Sequence, residues 1–201
     1  MPLSISTFRD QFNRLGAPAP TNRFEVTITT PQGISIETDI SRDLTLMCEQ
    51  AELPGKSMMT VEDKLYGPPR KIAYGQLFID TTMTFICTSD GWKEKMYFDE
   101  WQNQIVDPEL FDAKYFDEYT TSLFLKTFKD NNTENYAIKF IEAYPLNVGA
   151  VNLGMNQNNE YARLAVTFAY RRWEYIDPSS FQNARVATNL NPTDSIFGLR
   201  D

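Results

Sequence analysis

The 201-residue sequence contains no histidine. Histidine is the commonest general base, the usual partner of a serine or cysteine nucleophile, and a leading ligand for zinc and copper. Cysteine is scarce as well: Cys48 and Cys87 are the only two, and they form no CxxC motif. We expect two partly buried free thiols rather than a disulfide or redox pair, and no catalytic sulfur.

Long apolar runs and an excess of positive charge are also missing. The apolar runs are a few residues long, whereas a helix that spans a bilayer needs about 20. The start, MPLSISTFRDQF, carries Asp10 where a signal peptide would be apolar. We therefore expect neither membrane insertion nor secretion by the standard route. With 19 basic and 27 acidic residues, the net charge of −8 disfavours a DNA-binding surface.

Apolar and aromatic residues, at 42% and 13% of the chain, suffice for the core of one domain with sizeable excursions. Two stretches have helical spacing. Residues 4–15 place Ile5, Phe8, Phe12 and Leu15 three or four apart, which predicts a short amphipathic helix. A second helix is predicted from an Asp90 cap to Ile105, with a buried stripe of Trp92, Met96, Tyr97, Trp101 and Ile105.

Alternation of apolar and polar residues predicts the strands. Residues 24–29 and 34–38 alternate around a turn at 31–33, which indicates a β-hairpin with one polar face. Residues 77–87 read as a central strand, 121–128 and 136–144 as a second hairpin, and 161–173 as a long final strand. The polar stretch 177–201 is either a mobile terminus or an extended arm.

Residues 43–76 keep no period of either kind and are interrupted by Pro54-Gly55, Gly67-Pro68-Pro69 and Gly75. This pattern predicts a long loop. Loops beyond about 12 to 15 residues are usually functional or disordered. Since this one is too apolar to float in solvent, we expect it to pack against something.

An acidic cluster invites a chemical interpretation. Seven carboxylates lie between Asp99 and Glu118, with one base, Lys114. They could serve a divalent cation or an acid–base pair, but no ligand spacing is present, so a solvated or partner-facing patch is favoured.

Two basic clusters raise similar questions. Arg70 and Lys71 could grip a phosphate, but they lack P-loop spacing, so pairing with an acidic neighbouring chain is favoured. Arg171 and Arg172, beside Trp173, could stack on bases, but the net charge favours cation–π packing at a strand edge. We predict no cofactor, no metal ion and no catalytic residue.

An ordered series of short motifs runs through the chain. In order these are CEQAELPG at 48–55, YGPPRK at 66–71, Tyr74-Gly75, Phe85-Ile86, the helix with Trp101, AYP at 143–145 and FAYRRW at 168–173. From Phe24 to Trp173 the series resembles the tail tube proteins of contractile-tailed bacteriophages. The order of the motifs carries the resemblance, since each alone would be weak.

The resemblance implies a mainly β fold, a β-sandwich or barrel with a flanking α-helix and a long inter-ring loop. Six copies would form a ring, and stacked rings would form a hollow tube whose bore carries the genome into the host. The implied organisation is a helix and linker at 1–22, a β domain at 23–176 with the stacking loop at 43–76, and an extended tail or arm at 177–201.

The resemblance also implies where copies meet. The long loop would reach the next ring through Leu53, Pro54, Gly55, Met58, Met59, Tyr66, Gly67, Pro68, Arg70, Lys71 and Tyr74. The polar strand face would line the bore through Glu25, Thr27, Thr29, Glu37 and Asp39. Six chains would carry about −48 per ring, and like-charge repulsion would keep DNA from sticking to the wall.

The implied partners are further copies of the chain, the tail sheath, the baseplate or tube initiator, the tape-measure protein and the tail terminator. DNA would pass without specific binding, and the protein would belong to the virion tail, assembled in the host cytoplasm. Two alternatives share the fold: a tube-like baseplate initiator or terminator, and a secretion-system tube subunit. A soluble acidic binding module or a cation-dependent hydrolase is the alternative from another class.

Overall fold

The computed structural model describes residues 4–15, 18–33, 38–64, 67–156 and 160–177. The chain is mainly β, as expected. The helices are α1 (Ile5–Leu15), α2 (Thr38–Met47), α3 (Lys93–Ile105) and α4 (Phe116–Tyr119). The strands are β1 (Phe24–Ile28), β2 (Cys48–Ala51), β3 (Lys56–Asp63), β4 (Arg70–Phe78), β5 (Thr81–Ile86), β6 (Thr121–Phe128), β7 (Glu134–Val148), β8 (Arg163–Ala169) and β9 (Arg172–Ile176).

The long strand β7 belongs to two parts of the main sheet. Residues 134–143 pair with β6, residues 137–141 pair with β9 on the other side, and residues 144–148 pair with β8. Just before this change of partners Glu142 has a φ of 55°, which few non-glycine residues adopt. The strand order β1-β6-β7-β8-β5-β2 thus divides into two parts. The first half-sheet contains β1, β6, β9 and the start of β7. The second half-sheet contains the end of β7, β8, β5 and β2.

The core lies where the two half-sheets meet α3. The Phe98 ring of α3 lies 5.1 Å from the ring of Phe85 and 5.9 Å from that of Phe168. Trp101 is fully buried, and its Nε1 donates a hydrogen bond to the carbonyl of Tyr119 at 3.0 Å. Both half-sheets contribute alternate apolar residues to the same cluster, among them Val26, Leu125, Ile138, Phe140, Met83, Leu164 and Val166.

Several predicted elements are confirmed. α1, α3 and the strands β6 and β7 occupy the predicted stretches, and β6 pairs with β7 as a hairpin. The single strand predicted for residues 77–87 is divided: residues 77–78 end β4, and β5 begins at Thr81. β5 lies between β8 and β2 inside the sheet, with every second residue buried. The tail predicted for 177–201 lies outside the described residues apart from Asp177.

The prediction that residues 43–76 form a long loop is wrong, because most of this stretch has regular secondary structure. This stretch contains the end of α2, all of β2, and a two-stranded sheet formed by β3 and β4. The alternation was hidden because both faces of that hairpin are exposed and because a bulge interrupts the register beyond Met59.

The first predicted hairpin finds no support among the described residues. β1 pairs with β6, about one hundred positions further along the chain, and Thr38 begins a helix. Residues 34–37 lie outside the described part. The pairing with β6 places Val26 opposite Leu125 and Ile28 opposite Leu123, so the strand gains a buried apolar partner that the local turn could not supply.

The start and the buried face of α3 differ from the prediction. Trp92, with a φ of 54°, is the residue before the first turn, and Asp90 binds Lys93 Nζ at 2.6 Å instead of capping the helix. The buried face consists of Glu94, Tyr97, Phe98 and Trp101, whereas Met96 is 63% exposed. Glu94 is held there because its Oε2 accepts hydrogen bonds from the Thr88 backbone N–H and hydroxyl.

The single strand predicted for residues 161–173 is two strands. β8 ends at Ala169, and β9 begins at Arg172 and pairs with the first part of β7. The chain bends between them because the Arg171 N–H donates to the Ile141 carbonyl at 3.1 Å and the Tyr170 hydroxyl donates to the Ile79 carbonyl.

We expect Trp101→Ala to lower the free energy of unfolding by about 3–5 kcal/mol, because it empties a buried site and leaves the Tyr119 carbonyl without its donor. Met96→Ala, on the exposed side of the same helix, should change it by less than about 0.5 kcal/mol. Urea denaturation followed by circular dichroism measures both. Equal losses in the two variants would contradict the assignment of the buried face.

Candidate functional site

β3 and β4 form a hairpin with an apolar face open to solvent. The register pairs Ser57 with Leu77, Met59 with Gly75, and Val61 with Ile72. Residues opposite each other in an antiparallel pair lie on the same face. This face, the apolar hairpin face, therefore carries four side chains that are 42–53% exposed in the described chain: Met59, Val61, Ile72 and Leu77.

The two ends of the hairpin are held by charged side chains. At the far end Arg70 Nε and Nη2 donate to Asp63 Oδ2 at 3.1 and 3.0 Å. At the base the Lys56 ammonium lies 5.3 Å from the Phe78 ring and 5.0 Å from the Trp173 ring, which ties the hairpin to β9. Residues 56–78 hold four basic and two acidic residues, a net charge of +2 in a chain of −8.

The structure brings most of the predicted interface residues into this hairpin. Exposed positions in its strands are taken by Met58, Met59, Arg70, Lys71 and Tyr74. Leu53, Pro54 and Gly55 lead into β3, and Gly67 and Pro68 precede β4. Tyr66 lies outside the described residues. The prediction missed Val61, Ile72 and Leu77, whose place on one face could be found only from the register.

The predicted bore residues do not share one strand face. Glu25 and Thr27 lie on the outer face of β1, both half-buried. Thr29 follows the strand, and its carbonyl accepts a hydrogen bond from the Thr121 hydroxyl at 2.7 Å. Asp39 belongs to α2 rather than to a strand, and Glu37 lies outside the described residues.

The outer face of the first half-sheet mixes charge with an aromatic ring. Glu25 is opposite Lys126, and Thr27 is opposite Phe124. The Lys139 ammonium lies 5.7 Å from the Phe124 ring. Lys126 is buried and paired with Glu134 at 3.3 Å, so the feature of this face that could hold a flat group is the Phe124 ring.

The outer face of the second half-sheet is different, and its residues are not among the predicted site residues. It presents small neutral side chains in a block, the threonine face: Thr82, Thr84, Ala165 and Thr167. The hydroxyls of Thr82 and Thr167 are 3.2 Å apart and share a hydrogen bond. The sequence signal that could have indicated this face is the alternation of threonine with apolar residues in β5.

An ion pair at the margin of the threonine face clamps the end strand β2. Glu49 reaches past β5 to accept a hydrogen bond from Arg163 Nε at 2.7 Å and one from the Tyr161 hydroxyl at 2.6 Å. The hydrogen bond from Arg163 is the larger cause, and that from Tyr161 the next, of a lowered pKa for the Glu49 carboxyl. The ionised carboxylate is the form that holds β2 to β8.

The remaining clusters have structural partners. Asp107 accepts hydrogen bonds from the N–H groups of Leu110 and Glu109, which lower its pKa. Among the described residues no group of three or more His, Cys, Asp or Glu side chains is placed to hold a metal. Arg171 and Arg172 form ion pairs with Glu142 and Glu174, both at 2.9 Å.

The two thiols are free, and burial raises the pKa of Cys48 to about 12. A thiol with that pKa is protonated at neutral pH and is therefore a poor nucleophile. In the described part of the chain, no helix combines the length and the apolar character needed to cross a membrane.

The chain belongs to the phage tail tube protein family, which matches residues 19–176. No curated protein matches it in sequence. Similar solved structures include a chain of the anti-feeding prophage baseplate, with a TM-score of 0.59, 9% identity, and coverage of 81% of this chain and 98% of that chain. At such identity the likeness shows the fold.

Two further similar chains come from an extracellular contractile injection system in its extended state. The chain of the sheath/tube terminator structure has a TM-score of 0.57 and 14% identity, covering 81% of this chain and 99% of that chain. The chain of the sheath-tube complex has a TM-score of 0.54 and 17% identity, covering 87% and 99%. The mainly β fold is thus that of proteins found in contractile tube assemblies.

We expect Glu49→Gln to lower Tm at pH 7 by at most about 3 °C, since exposed ion pairs contribute little. Because the pKa of Glu49 is lowered in the fold, its contribution is complete above the unfolded carboxyl pKa and is lost as pH falls through the folded value. The difference in Tm between parent and variant should therefore shrink from pH 7 to pH 3 in thermal scans. A difference that stayed constant would contradict the clamp.

Proposed function

We propose that the chain is a structural subunit of a phage tail tube. Six copies form a ring, and rings stack into a hollow tube inside a contractile sheath, through which the genome passes into the host. The observation that carries the proposal is the apolar hairpin face, which is open to solvent in the described chain. Family membership supports it. The role requires no catalysis and no cofactor.

The end strands supply a route to ring formation. β1 and β2 stand at the two ends of the strand order, and each has one strand partner among the described residues. An end strand presents backbone N–H and C=O groups that pair readily with another chain. Neighbouring copies would cover these edges, and the Glu49 clamp keeps β2 in place for that contact.

The hairpin is suited to contact between rings. Its apolar face supplies the surface to be buried. Its net charge of +2 is opposite in sign to that of the acidic remainder of a neighbouring copy, so the two surfaces attract each other. The interface would include the exposed predicted residues of the hairpin and the three residues that the register adds, Val61, Ile72 and Leu77. Arg70 and Lys71 would then face acidic groups of the neighbour.

We expect Val61→Asp to abolish tube formation while leaving the Tm of the unassembled chain within about 2 °C of the parent value, because Val61 lies outside the core. The control is Leu110→Asp, which places the same charge on an exposed residue outside the hairpin. Negative-stain electron microscopy and light-scattering mass measure assembly. Tubes from the Val61 variant, or loss of tubes in both variants, would count against the hairpin contact.

The threonine face is the better bore wall of the two polar faces. A polyanion slides past a wall that offers neither unpaired cations nor aromatic stacking platforms. The threonine face has hydroxyls and methyl groups, and its neighbouring cation Arg163 is paired with Glu49. The face of Glu25 and Thr27, which carries the Phe124 ring with the Lys139 ammonium 5.7 Å from it, remains the alternative.

Cysteine labelling of assembled tubes distinguishes the two faces. Ala165→Cys on the threonine face should react with a small maleimide but not with a maleimide carrying a bulky polymer, since the bore excludes the polymer. Glu25→Cys should react with both reagents. The parent chain, with half-buried Cys48 and Cys87, gives the background. The reverse pattern would assign the bore to the face of Glu25 and Thr27.

The proposed partners are the sheath, the baseplate or tube initiator, the tape-measure protein and the terminator, with assembly in the host cytoplasm and DNA passing without specific binding. The fold is shared with chains of baseplate and terminator structures. A tube-like initiator or terminator, or a secretion-system tube subunit, is therefore the second candidate. Copy number per particle separates a main tube subunit from an initiator, which occupies a single ring.

A further inference from the structure

The helix α1 carries an apolar stripe that the core does not use. Ile5, Phe8 and Phe12 are 86, 58 and 39% exposed, and none of the α1 side chains that the structure describes, residues 5–14, belongs to the core cluster. The Phe8 and Phe12 rings stack with centroids 5.6 Å apart. The stripe follows the three- and four-residue spacing of a helix that packs against a surface.

An apolar groove lies elsewhere on the same chain. It has a volume of about 330 Å³ and opens between β1, β2 and the hairpin of β6 and β7. Its lining is largely apolar, with Phe24, Ala51, Leu53, Leu125 and Tyr136. Leu125 is buried, whereas Leu53 is 56% exposed at the rim.

Charge favours another copy of the chain as the occupant of this groove. Residues 4–15 carry two basic residues and one acidic residue, a net charge of +1, whereas the whole chain carries −8. Glu52, next to the rim residue Leu53, is exposed. A cationic amphipathic helix is attracted to an acidic protein surface that offers an apolar groove.

The connection between helix and domain gives the helix room to reach a neighbour. Eight residues, 16–23, separate α1 from β1, and they span up to about 28 Å when extended. Pro18 and Pro20 stiffen this linker. Ala19, Pro20 and Thr21 line the groove of their own chain, so the helix leaves the domain beside that groove.

We propose that α1 docks through Ile5, Phe8 and Phe12 into the groove of Phe24, Leu53, Leu125 and Tyr136 on a neighbouring copy. The inference rests on the proposed function in one respect: assembly of the tube places a neighbouring copy within reach of the helix. Each copy gives a helix and receives one, and a contact of this head-to-tail kind closes when the copies form a ring. The arm adds an interface separate from the hairpin.

Mixed cross-linking tests the docking. Copies with Phe12→Cys and one affinity tag are combined with copies carrying Leu53→Cys and another tag, and the mixture is oxidised under assembly conditions. We expect disulfide dimers that carry both tags, at a yield about tenfold above a control in which Leu110→Cys replaces Leu53→Cys. Non-reducing electrophoresis with detection of both tags reads the result.

The presence of tubes and of mixed dimers is read separately, so that failure of the docking and failure of the proposed function are distinguished. Tubes without mixed dimers would remove the docking and leave the proposed function standing. Without tubes, mixed dimers would still support the docking, whereas their absence would remove both. In a chain that carries both Phe12→Cys and Leu53→Cys, a disulfide that forms only within the same chain would place α1 in the groove of its own chain. Vesicles of phosphatidylserine and phosphatidylcholine that bind the parent chain but not Phe8→Asp, without mixed dimers, would assign α1 to a membrane.

Discussion

The bend in β7 is the constraint on which the rest of the structure depends. Because residues 134–143 and 144–148 pair with different strands, one strand supplies an edge to each half-sheet. Arg171 supports the bend at Glu142 through two contacts: the Glu142 carboxylate accepts a hydrogen bond from its guanidinium at 2.9 Å, and its backbone N–H donates to the carbonyl of Ile141. Without the bend in β7, the two half-sheets could not face a common core, and α3 would have no cleft to fill.

The core that results uses only part of the apolar surface. The apolar hairpin face and the apolar stripe of α1 lie outside the core, which is filled by residues such as Trp101 and Phe98. Monomeric proteins rarely expose contiguous apolar patches of this kind. Where polar residues surround such a patch, the patch often marks a contact with another protein. The distribution of apolar residues therefore indicates a chain that completes its burial in an assembly.

Local signals account for what the sequence predicts well. The spacing of Ile5, Phe8 and Phe12 suffices for α1, and the alternation on either side of residues 129–135 suffices for β6 and β7, because these signals lie within one element or one turn. The pairing of β1 with β6 is distant in sequence, so no local pattern reports it. The hairpin shows the same limit at the site. Met58 and Met59 are adjacent and both exposed, yet they lie on opposite faces. Alternation within β3 joins Met59 to Val61, but only the register with β4 adds Ile72 and Leu77 to that face.

Electrostatics explain why the protruding elements differ in charge from the body. Identical chains of net charge −8 repel one another, and at physiological ionic strength this repulsion acts over about 8 Å. Contacts between copies must therefore bury apolar surface or bring opposite charges together. The hairpin and the α1 segment have both features: they expose apolar side chains, and they carry +2 and +1, whereas the rest of the chain, with 13 basic and 24 acidic residues, carries −11. Because the positive apolar elements are separated from the acidic body, each copy would be complementary to the next in the proposed tube, both in charge and in exposed apolar surface.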